Sequence, residues 1–205
     1  IFQNDTVGMD FYVYMKGNIR QNASYKGVYL YVFDTTMTRV LRLYALGSPD
    51  SNNWKKSSIK ISPTKGYNRV TLMIAIHGDG WVELDEASCM PSDNIKGVRK
   101  EQYDLLKNWK PGALRFPGGG FISIPEHIWY ETIGDIDQRK ALMGGDRWHR
   151  MDLGYDEFLQ LCEDLNIEPY FSVRYLGVDK SDPANLVEYC NGGENSKWGK
   201  IRAQN

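Results

Sequence analysis

The hydrophobic period of this chain changes once, and that change limits its architecture more than any other feature. Through the first ninety or so residues the apolar positions repeat every second residue. The stretch GVYLYVFD sets Val28, Leu30 and Val32 against Tyr29, Tyr31 and Phe33, as expected of a strand with one face in a core and one face out. DFYVYMKGN and WKKSSIKISP read as further strands. RVTLMIAIHGDGWVELDEASCM gives two more, with Gly78, Asp79 and Gly80 as the turn between them. Turn-rich clusters, GSPDSNN and SPTKGYN, separate these runs. Several short strands with few helical patterns predict an antiparallel sandwich.

Near CMPSDNIKG the period lengthens. GVRKEQYDLLKNW places Val98, Leu105, Leu106 and Trp109 at near-helical spacing, with Asp93 or Asn94 as the expected N-cap and Lys110, Pro111 and Gly112 as the stop. ALRF reads as a short buried strand. GYDEFLQLCEDLN carries Phe158, Leu161, Cys162 and Leu165 at i, i+3, i+4 and i+7, with Asn166 suited to a left-handed C-cap. EPYFSVRYLG is a strand, and DPANLVEYCN a helix with Asp182 as N-cap and Pro183 at its first position. Helix, strand, helix, strand, helix is the rhythm of a parallel α/β unit, so the expected division is 1–91 and 92–205.

Composition excludes some function classes. The formal net charge is −1, without a basic stripe or an acidic tail, which argues against nucleic acid or an anionic membrane as partner. No apolar run suits a membrane span. Cys89, Cys162 and Cys190 form no metal spacing and no even disulfide framework, so buried free thiols are expected. His77, His127 and His149 show no zinc spacing. No metal and no cofactor is implied. The chain opens on IFQNDTVGMDFYVYMKG, without an initiator Met and close to a strand, which reads as an interrupted chain.

Among candidate functional residues, the stretch ALRFPGGGF is the most informative. It fits neither G-x-G-x-x-G nor a P-loop. Arg115 sits at the end of an apolar run, where a buried guanidinium needs carboxylate or carbonyl partners; a catalytic carboxylate at a barrel mouth and a structural salt bridge both satisfy that need. Gly118, Gly119 and Gly120 suit a plain turn as well as a close approach to ligand. The long segment SIPEHIWYETIGDIDQRK brings Trp129 and Tyr130, and GGDRWHRM brings Trp148; each tryptophan suits a core cap or a sugar-facing wall. Of the acidic residues, Glu126, Glu131, Asp135, Asp137, Asp156, Glu157 and Glu163, none ends a predicted strand, and most read as solvated charges.

LRFPGGGF, HIWYETIGDIDQR, WHRMDLGYDEFLQLCEDLNIEPYFSV, VEYCNG and KWGKIRAQN occur in this order. Together they resemble the α-L-arabinofuranosidases of glycoside hydrolase family 51. The stretch WVELDEASCMPSDNIKGVRKEQYDLLKNWKPGALRFPGG resembles the junction in members with a β-sandwich, like a carbohydrate-binding module, inserted after the first barrel strand. The resemblance implies a jelly-roll-like antiparallel β-sandwich at 1–91, then at 92–205 the second and third strands, with their helices, of an incomplete (β/α)8 TIM barrel. It implies a retaining hydrolase that removes terminal arabinofuranose from arabinoxylan, arabinan or related arabinose-containing glycans, in an extracellular or periplasmic setting.

In that family two glutamates, after the fourth and seventh strands, do the chemistry. Residues 92–205 are under half of the roughly 250 that such a barrel takes, so both glutamates are expected outside this chain and no catalytic residue is assigned within it. Arg115 matches the family arginine that supports the nucleophile's carboxylate. Gly119, Gly120, Trp129, Trp148 and Arg174 fall at the expected sugar-binding rim. Three positions depart from the family pattern: Gly120 stands for Asn or Cys, Asp135 for Pro, and Arg174 for Asn. The alternative reading is a non-catalytic carbohydrate-binding protein built on the sandwich.

Overall fold

A computed structural model describes residues 6–20, 26–123, 127–144, 147–175 and 177–205, with the backbone alone at 121, 123, 142–144, 147 and 148. The chain forms two compact units, 1–95 and 96–205.

The named strands of the first unit pair antiparallel, and one isolated bridge, Lys16 with Asp50, is parallel. The strands are β1 (Met9–Arg20), β2 (Gly27–Phe33), β3 (Val40–Gly47), β4 (Lys55–Ile61), β5 (Thr71–His77) and β6 (Asp79–Pro91). They make two three-stranded sheets, ordered β4-β1-β6 and β3-β2-β5. Each central strand turns its alternate apolar residues inward: Met9, Phe11, Val13 and Met15 from β1, and Val28, Leu30 and Val32 from β2. With Leu46, Ile61 and Val70 they form one core shared by both sheets. Tyr29, Tyr31 and Phe33 lie half-buried on the opposite face of β2, as the alternation predicts.

The GDG turn behaves differently from the expected hairpin. β5 pairs with β2, whereas β6 pairs with β1, so Gly78 carries the chain from one sheet to the other. Gly78 has φ +112, and a Cβ at Gly80 (φ +149) would lie 2.0 Å from the Asn18 carbonyl oxygen. Both glycines are needed to bring β6 beside β1 immediately after the crossing.

The second unit contains α1 (Lys100–Trp109), β7 (Ala113–Phe116), β8 (Leu142–Gly144), β9 (Arg147–His149), α2 (Tyr155–Leu165), β10 (Glu168–Phe171), α3 (Asp182–Asn191) and α4 (Lys197–Gln204). β7 and β10 pair in parallel, Ala113 opposite Glu168 through Phe116 opposite Phe171. β8 and β9 form a short antiparallel pair. Trp129, Tyr155, Leu186, Tyr189 and Trp198 make the core, with Phe116, Leu159, Phe171 and Ile201 packed on it.

α2 follows its sequence pattern. Phe158, Leu161 and Cys162 are buried, and Asn166 ends the helix at φ 52°, ψ 49°. α1 starts later than predicted. Its N-cap is Arg99, without a side-chain cap bond, while Asn94 turns back on Pro91 through its backbone and side-chain N–H groups. Val98 therefore lies outside the helix, and Leu105 and Trp109 are 66% and 70% exposed.

α3 begins one residue earlier than predicted, with Ser181 as N-cap and Asp182 as its first residue. The Ser181 hydroxyl donates to Asp179 and makes no cap bond. The β10 strand ends at Phe171, short of the predicted Gly177. Two single-turn helices, Trp129–Thr132 and Ile136–Gln138, lie within the long segment after the glycines, and Asp135 caps the second by accepting from Asp137 N–H. α4 was not legible as a helix; Ser196 caps it by accepting from Gly199 N–H at 3.1 Å.

The three cysteines are free, Cys162 buried and Cys89 and Cys190 half-buried. Burial pushes the Cys89 and Cys162 thiols up to about 11.

Candidate functional site

Because β7 and β10 run in parallel, their C-terminal ends meet at one edge, where Ser172 N–H donates to the Phe116 carbonyl at 2.9 Å. Arg115 lies beside this edge. The expectation of a buried strand and a buried cation is corrected here: Ala113 and Arg115 are exposed, with Leu114 and Phe116 half-buried. In this two-stranded sheet β7 has β10 as its paired neighbour, and Arg115 stands on its exposed face. Its Nε donates to the Ser172 hydroxyl at 2.8 Å, a neutral oxygen where a carboxylate was expected. Gly118, Gly119 and Gly120 are exposed, and among the described residues a Cβ at any of them meets nothing within 4 Å. Gly119 and Gly120 open a short 3-10 turn, Gly119–Ser123.

Beyond Ser172 the chain forms one wall of a polar pocket of about 190 Å³, lined by His127, Ile128, Tyr130, Arg174, Gly177, Val178, Asp179 and Asp182. Its sides are held by named contacts. Trp129 Nε1 donates to Asp182 Oδ1 at 3.1 Å, tying the HIWY segment to the start of α3. Asp179 Oδ1 accepts from Ser181 N–H at 2.8 Å and from its hydroxyl at 2.6 Å, and these bonds hold the Asp179 carboxyl below its ordinary range. Gly177 has φ +72°, and a Cβ there would lie 3.1 Å from Arg174 Nη2. His127 is 4% exposed; burial, opposed by a backbone hydrogen bond and reinforced by the Arg174 charge, lowers its pKa below 6.5.

Trp129 itself is core. It is 4% exposed and packs against Tyr155, Tyr189 and Trp198, with ring centroids 4.7–6.1 Å apart. Its edge is spent on Asp182, so it offers no open face to a sugar and acts by fixing the pocket wall. Tyr130, 43% exposed, is the aromatic ring presented there. The side chain of Trp148 and all of Glu126 lie outside the described residues.

Three of the carboxylates read as solvated charges are paired instead, Asp156 buried and Asp137 and Glu157 half-buried, while Asp135 and Glu163 are exposed as expected. Arg139 donates through Nη1 and Nη2 to both Glu157 oxygens, at 2.9 and 2.8 Å, and also to the carbonyls of Met151 and Gly134. Glu157 accepts in addition from Gly154 N–H at 2.8 Å. Gly154 is obligatory, since a Cβ would lie 1.7 Å from the Thr132 oxygen. Asp156 accepts from Gly134 N–H and from the Tyr189 hydroxyl, and Asp137 from Arg150. These residues clamp the segment from 129 to 139 onto α2 and α3, because an ion pair keeps its strength where water is excluded. Among the described residues no group of His, Cys, Asp and Glu could hold a metal, and no helix is long and apolar enough to cross a membrane.

Of the rim residues predicted from the sequence, the fold places Arg174 in the pocket lining, Trp129 in the core beside it, and Arg115 against Ser172, two residues before Arg174. His127, Tyr130, Asp179 and Asp182 were not singled out as pocket residues. Their signal was present in part: DKSD is an Asp–Ser turn leading into a helix, and Tyr130 adjoins a predicted site tryptophan.

Residues 105–205 match the family model of the α-L-arabinofuranosidase 1 domain. α-L-Arabinofuranosidase 2 of Arabidopsis thaliana is 29% identical over 182 residues, covering 78% of this chain and 27% of that protein. The probable α-L-arabinofuranosidase C of Aspergillus flavus is 32% identical over 117 residues, 56% of this chain and 23% of that protein. The extracellular exo-α-L-arabinofuranosidase of Streptomyces chartreusis is 26% identical over 189 residues, 74% and 22%. The chain thus spans about a quarter of the length of the curated relatives it matches. Among solved structures, an arabinose-bound MgGH51 α-L-arabinofuranosidase shares the fold, with a TM-score of 0.76 and 18% identity over 100% of this chain and 37% of that one. By family match, relatives and fold, this chain resembles the α-L-arabinofuranosidases of glycoside hydrolase family 51.

Proposed function

We propose that this chain forms part of a retaining glycoside hydrolase that removes terminal α-L-arabinofuranosyl residues from arabinose-containing glycans. The match of residues 105–205 to the arabinofuranosidase domain carries the reading. Geometry supports it: a parallel strand pair ends in an exposed arginine, an exposed glycine loop and a small polar pocket, all on one edge of an α/β unit. In this reading residues 1–91 are a sandwich like a carbohydrate-binding module, and 92–205 supply the second and third strands of a (β/α)8 barrel. The extracellular or periplasmic setting belongs to the same reading, supported by the extracellular relative from Streptomyces.

Retaining hydrolysis needs two carboxyl groups about 5–5.5 Å apart, one nucleophile and one acid/base. The acidic residues near the pocket are engaged otherwise: Asp182 with Trp129, Asp179 with Ser181, and Glu157 with Arg139. The catalytic pair is therefore assigned to sequence beyond this chain. Arg115, exposed at the strand end, is the group that meets the nucleophile's carboxylate there. The experiment is hydrolysis of an aryl α-L-arabinofuranoside by the complete gene product, with the anomer of the first product read by NMR. Turnover with retention is expected. A folded complete product without turnover on the aryl glycoside or on arabino-oligosaccharides overturns the reading.

A further inference from the structure

We propose that the pocket lined by His127, Tyr130, Arg174, Val178, Asp179 and Asp182 binds one neutral sugar ring, at a position separate from the place where Arg115 meets a carboxylate. As a statement about which part of a glycan sits there, this rests on the glycosidase reading; as a statement about binding, it stands on the pocket alone.

Size comes first. At about 190 Å³ the pocket is smaller than the roughly 300–1,000 Å³ of sites for drug-sized ligands, so it holds a single ring. Chemistry comes second. A pyranose presents C–H groups on its faces and hydroxyls around its edge, and it needs a flat apolar wall with oriented acceptors and donors at the rim. Tyr130 supplies the wall. Its ring is set before any ligand arrives, lying 5.8 Å from Trp198 at 35° and 5.6 Å from Trp129 at 83°. Val178 adds apolar surface.

The rim is similarly fixed. Asp182 Oδ1 is occupied by Trp129 and Asp179 Oδ1 by Ser181, which orients each second carboxylate oxygen as an acceptor for a sugar hydroxyl. Arg174 supplies a guanidinium, with Nη2 packed against Gly177. Ordering these groups in advance lowers what a small ligand must offset on binding. Two carboxylates face one guanidinium, and burial keeps His127 uncharged at neutral pH. The pocket therefore has a net negative charge, which disfavours a uronic acid and accepts an uncharged ring of the same shape.

Three probes separate size from charge. D-Xylose, D-glucose and D-glucuronate carry hydrogen, hydroxymethyl and carboxylate at the same ring carbon. Each is titrated into the isotope-labelled complete gene product and followed by amide NMR. Xylose is expected to shift the amides of Tyr130, Gly177, Val178 and Asp179 with millimolar half-saturation, and glucuronate to leave them in place at equal concentration. Tyr130→Ala should weaken xylose about tenfold, as loss of a central aromatic contact does. Asp179→Asn, on an exposed turn, provides a second variant with the same expected direction should Tyr130→Ala fail to fold.

Shifts confined to other residues, glucuronate binding as tightly as xylose, absence of any shift, or a folded variant with undiminished binding each overturn the proposal. Hydrolysis by the complete gene product without sugar binding here removes this proposal and leaves the glycosidase reading standing. Binding here without hydrolysis does the reverse.

Discussion

The Arg139–Glu157 pair offers the sharpest test of how the pocket is held. The Arg139 side chain is 2% exposed and that of Glu157 15%, so the pair lies where one charge cannot readily rehydrate when the other is removed. Arg139→Met strands the Glu157 carboxylate, leaving it the Gly154 N–H as its remaining donor, and deprives the Met151 and Gly134 carbonyls of theirs. Breaking one partner of a buried pair costs about 3–5 kcal/mol. The partial exposure of Glu157 sets the expectation near the lower end, at about 3 kcal/mol.

Glu157→Leu strands the guanidinium instead and also removes the acceptor at the start of α2, so a similar or slightly larger loss is expected. In the double variant no charge is stranded. What remains is two carbonyls short of a donor and one uncapped amide, about 2–3 kcal/mol together. The singles therefore sum to roughly twice the cost of the pair, a coupling of about 3 kcal/mol. Urea unfolding followed by tryptophan fluorescence gives the four free energies, and hydrogen exchange at Gly154 and Phe158 reports locally on the start of α2. If each single variant costs under about 1 kcal/mol and the double is additive, as surface pairs behave, the clamp is not what fixes the segment from 129 to 139.

Other outcomes follow from the same structure. Leu30→Ala, fully buried between the two sheets, should destabilise the first unit by about 2–5 kcal/mol in thermal or urea unfolding. Lys110→Gly, at the C-cap of α1 with φ 52° and ψ 55°, should stabilise by up to about 1 kcal/mol, because a side chain is strained in that conformation; a loss in urea unfolding would contradict the cap geometry. For His127 the folded pKa lies below the ordinary 6.5, so the unfolded chain takes up its proton first as pH falls. The contribution is complete above pH 6.5 and is lost as pH drops toward the folded value. Stability measured between pH 7 and 5 should fall, and His127→Gln should flatten that slope.

Which elements could be read from the sequence depends on where their determinants lie. β2 was legible because its alternation is local and its inward residues are all aliphatic. α2 was legible because its buried face repeats at helical spacing and Asn166 tolerates a left-handed conformation. The GDG segment was legible as a turn but not as a crossing, since nothing in it specifies that β5 pairs with β2 and β6 with β1; those partners lie forty to seventy residues away. α4 escaped notice because KWGKIRAQ is short and carries a glycine that usually argues against a helix. The fold requires that glycine: a Cβ at Gly199 would lie 2.2 Å from the Gly193 oxygen, where α4 passes the end of α3.

The site shows the same division more strongly. Arg115 was picked out by a local rule, that a cation in an apolar run needs a partner, and the rule assumed burial on both faces of β7. The strand is paired with β10, the arginine is exposed, and its partner is a hydroxyl. Asp182 is the converse case. Local rules made it an N-cap because Pro183 follows. In the fold Ser181 takes that position, and the Asp182 carboxylate accepts from Trp129, fifty-three residues earlier. That one bond decides the roles of three residues. It holds the Trp129 ring in the core, it leaves Tyr130 as the exposed aromatic of the HIWY segment, and it fixes Asp182 in the lining of the pocket that Asp179 and Arg174 share. A tryptophan that looked like a sugar platform thus serves as the anchor for its neighbour, a relation that no spacing along the chain contains.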